Sequence, residues 1–226
     1  ASPTFIRPWT DNVATQVEVF WNYIRLWVVP YPQSIYHDYP VVDSPGTLST
    51  WGAATGLLVL LVFALRQRSL NAILSFGLLA LIGTLAPTSS VFALKETMVE
   101  HRTYLPSLGY AFIAAACFTW LARKTSERIA TFALLGLLAI YSSLNVSYNL
   151  LWRSEEVLWA QATVVNPAAS DAWRNLGDLY RQQGRTSDAK EAYYSAVAAK
   201  PENIEATTSL AMLQGMIGEL EQAEEF

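Results

Sequence analysis

The sequence is poor in the side chains that bind metals and form cross-links. Among its 226 residues it has one cysteine, Cys117, and two histidines, His37 and His101. One cysteine excludes an intrachain disulfide and a thiolate cluster, and two histidines are too few for a multi-histidine metal or haem site. We therefore predict no metal site and no cofactor for this chain.

Charge is also scarce, and the apolar residues are clustered. Charged residues make up 15% of the chain and hydrophobic residues 52%, whereas soluble domains carry about 25% charged residues. Apolar residues concentrated in runs are typical of a membrane protein. The opening "ASPTFIRPW" lacks an initiator Met and a signal-peptide pattern, so we expect a processed product or a piece of something longer.

The remaining charge is divided unevenly. From Arg153 onward there are six Lys/Arg and twelve Asp/Glu, whereas the preceding residues carry nine and seven. This asymmetry predicts two environments. A net-acidic C-terminal part also argues against a nucleic-acid partner, which needs clustered cations.

Four apolar runs predict transmembrane helices. Each run lacks charged residues and has roughly the 17–25 residues that cross a bilayer; the runs are 48–65, 70–86, 104–122 and 129–151. Gly52 and Gly56 form a GxxxG pair in the first run, which predicts close helix packing and contacts with other membrane subunits. A buried soluble bundle is the alternative.

The loops between the runs predict the orientation. The loops "RQRS" and "RKTSER" together hold five Lys/Arg, so the positive-inside rule places both in the cytoplasm. The N-terminal segment, the loop 87–103 and everything after 151 then lie outside. We expect an integral protein of a bacterial inner membrane with its C-terminal module in the periplasm.

A further apolar stretch, 12–29, precedes the four runs. It is interrupted by Glu18 and Arg25, and its apolar residues recur at helical spacing. Such a pattern, ended by a proline-rich stop, predicts an interfacial helix on the outer surface. A fifth span is the alternative.

A 34-residue period closes the chain. The spacing matches the tetratricopeptide (TPR) pattern, in which large residues fill the gap between two helices and small ones allow close crossing. The predicted packing residues are Trp173, Leu176, Gly177, Tyr180, Ala189, Tyr193, Ala196 and Pro201.

The period extends in both directions from this complete repeat. Trp159, Ala162 and Pro167 precede their counterparts by 34 residues, which predicts the second helix of an earlier, incomplete repeat. Downstream, the residues that correspond to Leu176, Gly184 and Ala189 are Leu210, Gly218 and Ala223, which predicts a last repeat cut off within its second helix, at Phe226. The expected fold is all-α: an outer segment 1–47, four spans in 48–151 and a TPR module in 152–226.

The first helix of each TPR lines the inner face of the stack. Asp171, Arg174, Asp178 and Arg181 are predicted there, followed by Glu205, Thr208 and Met212. This mixed-charge face predicts binding of a protein or peptide. The alternative is that these are ordinary solvated side chains.

The spans, the outer stretch "EHRTYLPSLGYAF" and the TPR units together resemble the C-terminal half of the transmembrane and TPR-containing O-mannosyltransferases. These are GT-C-class glycosyltransferases that use polyprenyl-phosphate sugars. "YIRLWVVPYPQSIYHDYPVV" looks like the family's outer segment, and "HRTYLPSLGY" looks like its R-x-x-Y-L-P-S-x-G motif.

The resemblance implies a role for one arginine but supplies no catalytic acid. The family's paired acids lie in the first outer loop, N-terminal to the matching part, so we predict no catalytic residue in this chain. Arg102 would contact the lipid phosphate through its fork of donors, aided by His101 and Lys95. The alternative for Arg102 is a surface anchor or a salt bridge with Glu96 or Glu100.

Two hypotheses for the function follow. In the first, the chain is a non-catalytic membrane subunit of glycosyltransferase ancestry, which scaffolds a larger complex and presents the TPR module outside. In the second, it is the C-terminal half of an active polyprenyl-phosphate-sugar-dependent O-glycosyltransferase whose acidic loop lies on a missing segment. The expected partners are membrane lipids, including a polyprenyl phosphate, other membrane subunits and a protein bound by the TPR.

Overall fold

The computed structural model describes residues 8–37, 39–42, 44, 46–68, 71–90 and 97–224, without the side chains of 87–90 and 219–224. These residues are largely helical and form two compact units. Unit 1 comprises Ala1–Tyr31 and Tyr39–Asn145, and unit 2 comprises Pro32–Asp38 and Val146–Phe226. The α-helices are α1 (Trp9–Val28), α2 (Leu48–Gln67), α3 (Ala72–Ser90), α4 (Ser107–Lys124), α5 (Glu127–Asn149), α6 (Glu155–Val165), α7 (Ser170–Gln182), α8 (Thr186–Ala199) and α9 (Ile204–Glu224).

The core of unit 1 forms on one face of α1. Val19, Phe20 and Tyr23 are buried there against Leu81 and Leu85 of α3. Apolar residues three and four apart share one face of a helix, so this sequence buries a continuous stripe. The stretch predicted to be an interfacial helix is therefore helical, and its apolar face packs inside unit 1.

Two glycines let α3 and α4 cross at backbone distance. A Cβ added to Gly77 would lie 2.8 Å from the carbonyl oxygen of Gly109, and one added to Gly109 would lie 2.7 Å from that of Gly77. The predicted Gly52 and Gly56 pair is placed differently. A Cβ added to Gly56 would lie 2.8 Å from the Trp21 ring of α1, and one added to Gly52 would meet nothing within 4 Å. Gly77 and Gly109 therefore allow a close backbone contact between α3 and α4.

Two helices in the described part of the chain are long and apolar enough to cross a bilayer. They are α2 and the continuous helical stretch Glu127–Arg153, which contains α5. Only 11% and 6% of the residues in their apolar windows are buried, so most of their apolar surface is exposed, as it is in helices that contact a membrane. The other two predicted runs contain α3 and α4, and α3 contributes a shorter apolar helix, Ala72–Ala86.

Unit 2 contains the predicted TPR helices. The turn between α7 and α8 uses Gly184 at φ +74°, a left-handed conformation that favours glycine. The two helices then pack so closely that a Cβ on Gly177 would lie 2.6 Å from the ring of Tyr193. Tyr193 is fully buried, together with Ala189, Leu210 and Leu213.

The last helix is continuous past the residue that aligns with Gly184. The 34-residue period aligns Gly218 with Gly184, and α9 continues through Gly218 to Glu224. A glycine inside a helix costs only about 1 kcal/mol, so the helix tolerates Gly218.

Candidate functional site

Buried polar side chains of α1 hold the segment Thr97–Val99 of unit 1. The Tyr23 hydroxyl donates to the Val99 carbonyl oxygen at 3.0 Å and accepts from the Val99 N–H at 3.0 Å. Gln16 Nε2 donates to the Thr97 carbonyl oxygen at 2.9 Å. Because buried backbone groups need partners, these contacts fix the path of the chain that leads into the 3₁₀ helix Glu100–Thr103.

Arg102 belongs to the same network. Its guanidinium hydrogen-bonds the Tyr23 hydroxyl, which thereby uses its one donor and both acceptor positions. Burial raises the pKa of Tyr23, and the Val99 bond and Arg102 partly offset this. The hydroxyl therefore stays neutral and orients an arginine that is itself half-buried.

Two of the three residues predicted to contact a lipid phosphate, His101 and Arg102, lie in the described part of the chain. Arg102 is anchored on α1 through Tyr23, whereas the neighbouring His101 is exposed. Lys95 and Glu96 lie outside the described residues. Of the described pair, Arg102 therefore has a fixed position and His101 has access to solvent.

A second polar cluster surrounds Glu18, which the sequence analysis noted only as a charge that interrupts the apolar stretch 12–29. Its carboxylate accepts hydrogen bonds from Ser49 Oγ at 2.9 Å, Thr50 Oγ1 at 2.9 Å and Tyr39 Oη at 3.2 Å. Burial raises the pKa of Tyr39, and the Glu18 charge adds to this. The cluster ties α1 to the first turn of α2, which begins after the Thr47 cap.

An open groove of about 360 Å³ lies beside this carboxylate. It is lined by Glu18, Trp21, Tyr39, Ser49, Gly52 and Ala53. The Trp21 indole donates to the Ala53 carbonyl oxygen at 3.0 Å, which fixes the ring as one wall. Three hydroxyl donors on Glu18 indicate a structural carboxylate rather than a base poised for catalysis.

The predicted partner face of the TPR is internally paired. Arg174 lies 2.8 Å from Asp178 and 3.5 Å from Glu205. Asp178 accepts from the Tyr193 hydroxyl at 2.6 Å, and Arg181 Nε donates to the same hydroxyl at 3.3 Å. Burial raises the pKa of Tyr193, and its hydrogen bond to Asp178 adds to the shift. Three of the four predicted residues, Arg174, Asp178 and Arg181, thus form a row of paired charges along α7, which we call the ladder.

The other predicted TPR residues divide into buried and peripheral ones. Leu176, Ala189 and Ala196 are buried. Trp173 is half-buried, and its indole donates to the Pro167 carbonyl oxygen at 2.9 Å. Tyr180 is half-buried with Arg185 over its ring at 4.2 Å, and Pro201 is exposed just after α8 ends.

The remaining member of the face, Asp171, contacts a segment that sequence reasoning did not connect with the TPR. The Tyr36 hydroxyl donates to Asp171 Oδ2 at 2.8 Å, and Asn203 donates to Asp171 Oδ1 at 3.0 Å. Ile35 and Tyr36 also pack on the buried alanines 162, 169 and 172. Tyr36 and Asp171 are 135 positions apart in the sequence, so no local spacing could have linked them.

Comparison with known protein families places the repeat. A tetratricopeptide repeat model matches residues 170–213, which include α7, α8 and the first half of α9. This part of the chain is therefore a tetratricopeptide repeat.

Curated relatives match a larger part of the chain. Human protein O-mannosyl-transferase TMTC1 is 25% identical over 204 residues, covering 84% of this chain and 23% of that protein. Mouse protein O-mannosyl-transferase TMTC2 is 30% identical over 129 residues, covering 55% and 15%. Drosophila melanogaster protein O-mannosyl-transferase Tmtc2 is 31% identical over 132 residues, covering 57% and 14%.

The resemblance predicted from the sequence is confirmed: the chain is similar to TPR-containing O-mannosyl-transferases over much of its length. The chain spans less than a quarter of the length of each of these three relatives. No solved structure matches it.

Proposed function

We propose that this chain is a non-catalytic, membrane-integral TPR scaffold of glycosyltransferase ancestry. The observation that carries the proposal is the similarity to TMTC1 over 84% of the chain, which is too large a share to fall within either unit alone. The apolar helices and the TPR were therefore inherited together. Their joint retention is what a protein needs in order to present a binding module beside a membrane.

The proposal includes a specific membrane arrangement. The helices α2, α3, α4 and α5 each cross the bilayer, with the loops after α2 and α4 in the cytoplasm and the TPR module outside, in the periplasm of a bacterial cell. The supporting features are the five cationic residues in those two loops and the exposed apolar side chains of α2 and α5.

This span number can be tested with His101, which is exposed between α3 and α4. A cysteine at this position, in a Cys117→Ser background, should react with an impermeant maleimide from the same side as one at Ser187 in the TPR. Reaction from the side of Ser126, in the loop between α4 and α5, would limit the crossings to two.

The scaffold role itself depends on partner binding by the TPR. In support, TPR modules bind proteins through the inner helices of the stack, and Arg181 is the most exposed cation of the ladder, at 42% side-chain exposure. Purification of the protein in mild detergent should recover a stoichiometric protein partner. Arg181→Glu should weaken that recovery, whereas Lys190→Glu on α8 serves as a matched charge control. Equal recovery with all three proteins would contradict binding through this face.

A second candidate function is that the chain belongs to an active O-mannosyltransferase. It is favoured by the names of the relatives, which are protein O-mannosyl-transferases and of whose length this chain matches less than a quarter. In that case Arg102, fixed by Tyr23, would contact the phosphate of a polyprenyl-phosphate sugar. The two candidates separate on one assay: mannosyl transfer by the purified chain that is abolished by Arg102→Ala would replace the scaffold proposal.

A further inference from the structure

The incomplete first TPR raises the question of what covers its helix. A TPR helix buries its apolar side against the paired helix of its own repeat and against the next repeat. Sequence spacing makes α6 a second helix, and the part of unit 2 directly before it, Val146 to Ser154, is too short for the first helix of a repeat. The surface of α6 and α7 that a first helix would cover therefore needs another occupant.

Residues 32–37 lie on that surface. Ile35 and Tyr36 pack with Trp159 against Ala162, Ala169 and Ala172, which are each 0% exposed. Ser34 is 2% exposed, and its hydroxyl donates to the Tyr36 carbonyl oxygen at 3.0 Å and accepts from the Tyr36 N–H at 3.3 Å. The segment is thus a compact turn whose apolar side chains fill the space and whose Tyr36 hydroxyl reaches Asp171.

We propose that residues 32–37 are the N-terminal cap of the TPR module, taking the place of the missing first helix. The docking surface on α6 and α7 accepts an aliphatic residue followed by a tyrosine, and its occupant is this chain's own outer segment. The module is consequently assembled from two pieces that are separated by the whole of residues 39–145.

This docking constrains the membrane topology, provided that the membrane placement proposed above holds. The segment between residue 37 and α6 has both of its ends at the TPR helices, which lie on one side of the bilayer. A chain that leaves one side and returns to it crosses an even number of times. The docking therefore favours two or four crossings between Tyr39 and Glu155 and excludes three.

Cysteine labelling tests the shared side. In a Cys117→Ser background, single cysteines at Gln33 and Ser187 should react with an impermeant maleimide from the same face of sealed membranes, and one at Ser126 only from the other. Reaction of Gln33 and Ser187 from opposite faces would overturn the inference. Reaction of all three from one face would instead refute the membrane placement, and the docking is tested separately below.

Hydrogen exchange on the full chain in detergent tests the docking. Removing one hydroxyl hydrogen bond in Tyr36→Phe should speed amide exchange in α6 and the first turn of α7 by about two- to tenfold, and the buried charge of Ile35→Asp should speed it further. Tyr31→Phe is the control, since Tyr31 is 70% exposed. Exchange in Ile35→Asp that equals the control would show that the cap does not exist.

Discussion

Replacing Tyr23 by phenylalanine should release the segment around Val99 from α1. The ring would still fit its fully buried site, because Phe differs from Tyr only by the hydroxyl. The Val99 N–H and C=O, however, would each lose a partner 3.0 Å away. Val99 is 9% exposed and Met98 is 3% exposed, so water replaces the hydroxyl poorly.

The magnitude follows from these two backbone groups. An unsatisfied buried donor or acceptor costs about 1–3 kcal/mol, so two of them destabilise the closed loop by at least about 2 kcal/mol. A loss of that size corresponds to an opening equilibrium roughly 30-fold larger. Arg102 loses its hydrogen bond to the same hydroxyl, so the 3₁₀ helix should open together with Val99.

The assay is amide hydrogen exchange of peptides covering residues 97–106 in the detergent-solubilised chain. Tyr23→Phe should accelerate exchange of the Val99 amide about 30-fold or more, whereas Tyr104→Phe, at an 81% exposed position, should leave it unchanged. Identical exchange in Tyr23→Phe and the parent protein, or the same acceleration in both variants, would refute the assigned role of the hydroxyl.

Three further outcomes are expected. Gly177→Ala should destabilise the α7–α8 pair by about 1–3 kcal/mol, because its Cβ would lie 2.6 Å from the Tyr193 ring; thermal melting monitored by exchange should show this, with Gly215→Ala as an uncrowded control. Gly109→Ala should separate α3 from α4 and lower the melting temperature of unit 1 in detergent, since its Cβ would lie 2.7 Å from Leu81 N. Gly83→Ala, whose Cβ would meet nothing within 4 Å, is the control and should leave the melting temperature unchanged. Equal melting temperatures of the two variants would contradict the close crossing. Burial raises the pKa of Tyr193 above 10.0. Its contribution to stability is therefore complete below pH 10 and is lost as the pH rises through the higher pKa of the folded state. The loss of TPR stability at alkaline pH should be shallower in Tyr193→Phe, and an unchanged loss would contradict the contribution of this hydroxyl.

The TPR was predictable from the sequence because its packing rules repeat at fixed spacing. Gly177, Ala189 and Tyr193 are 12 and 4 residues apart, and the structure brings them together between α7 and α8. The same spacing aligns Gly218 with Gly184, but α9 is continuous there. Periodicity thus predicts contacts between neighbouring helices better than it predicts the position of each turn.

The candidate sites of unit 1 were less predictable because their partners are distant in sequence. Glu18 accepts from Ser49 and Thr50, which follow it by 31 and 32 positions, and Tyr23 bonds Val99 across 76 positions. A polar residue on an apolar helix signals only that some partner exists. The choice among partners depends on how α1 packs against α2 and α3.

The split composition of the TPR module has a consequence for biosynthesis. Tyr36 leaves the ribosome 135 residues before Asp171, and at about 5–20 residues per second this interval lasts on the order of ten seconds. During that time Ile35 and Tyr36 have no α6 or α7 to cover, while α2 to α5 are being made. The module therefore completes its folding only after the whole of α2 to α5 has been synthesised.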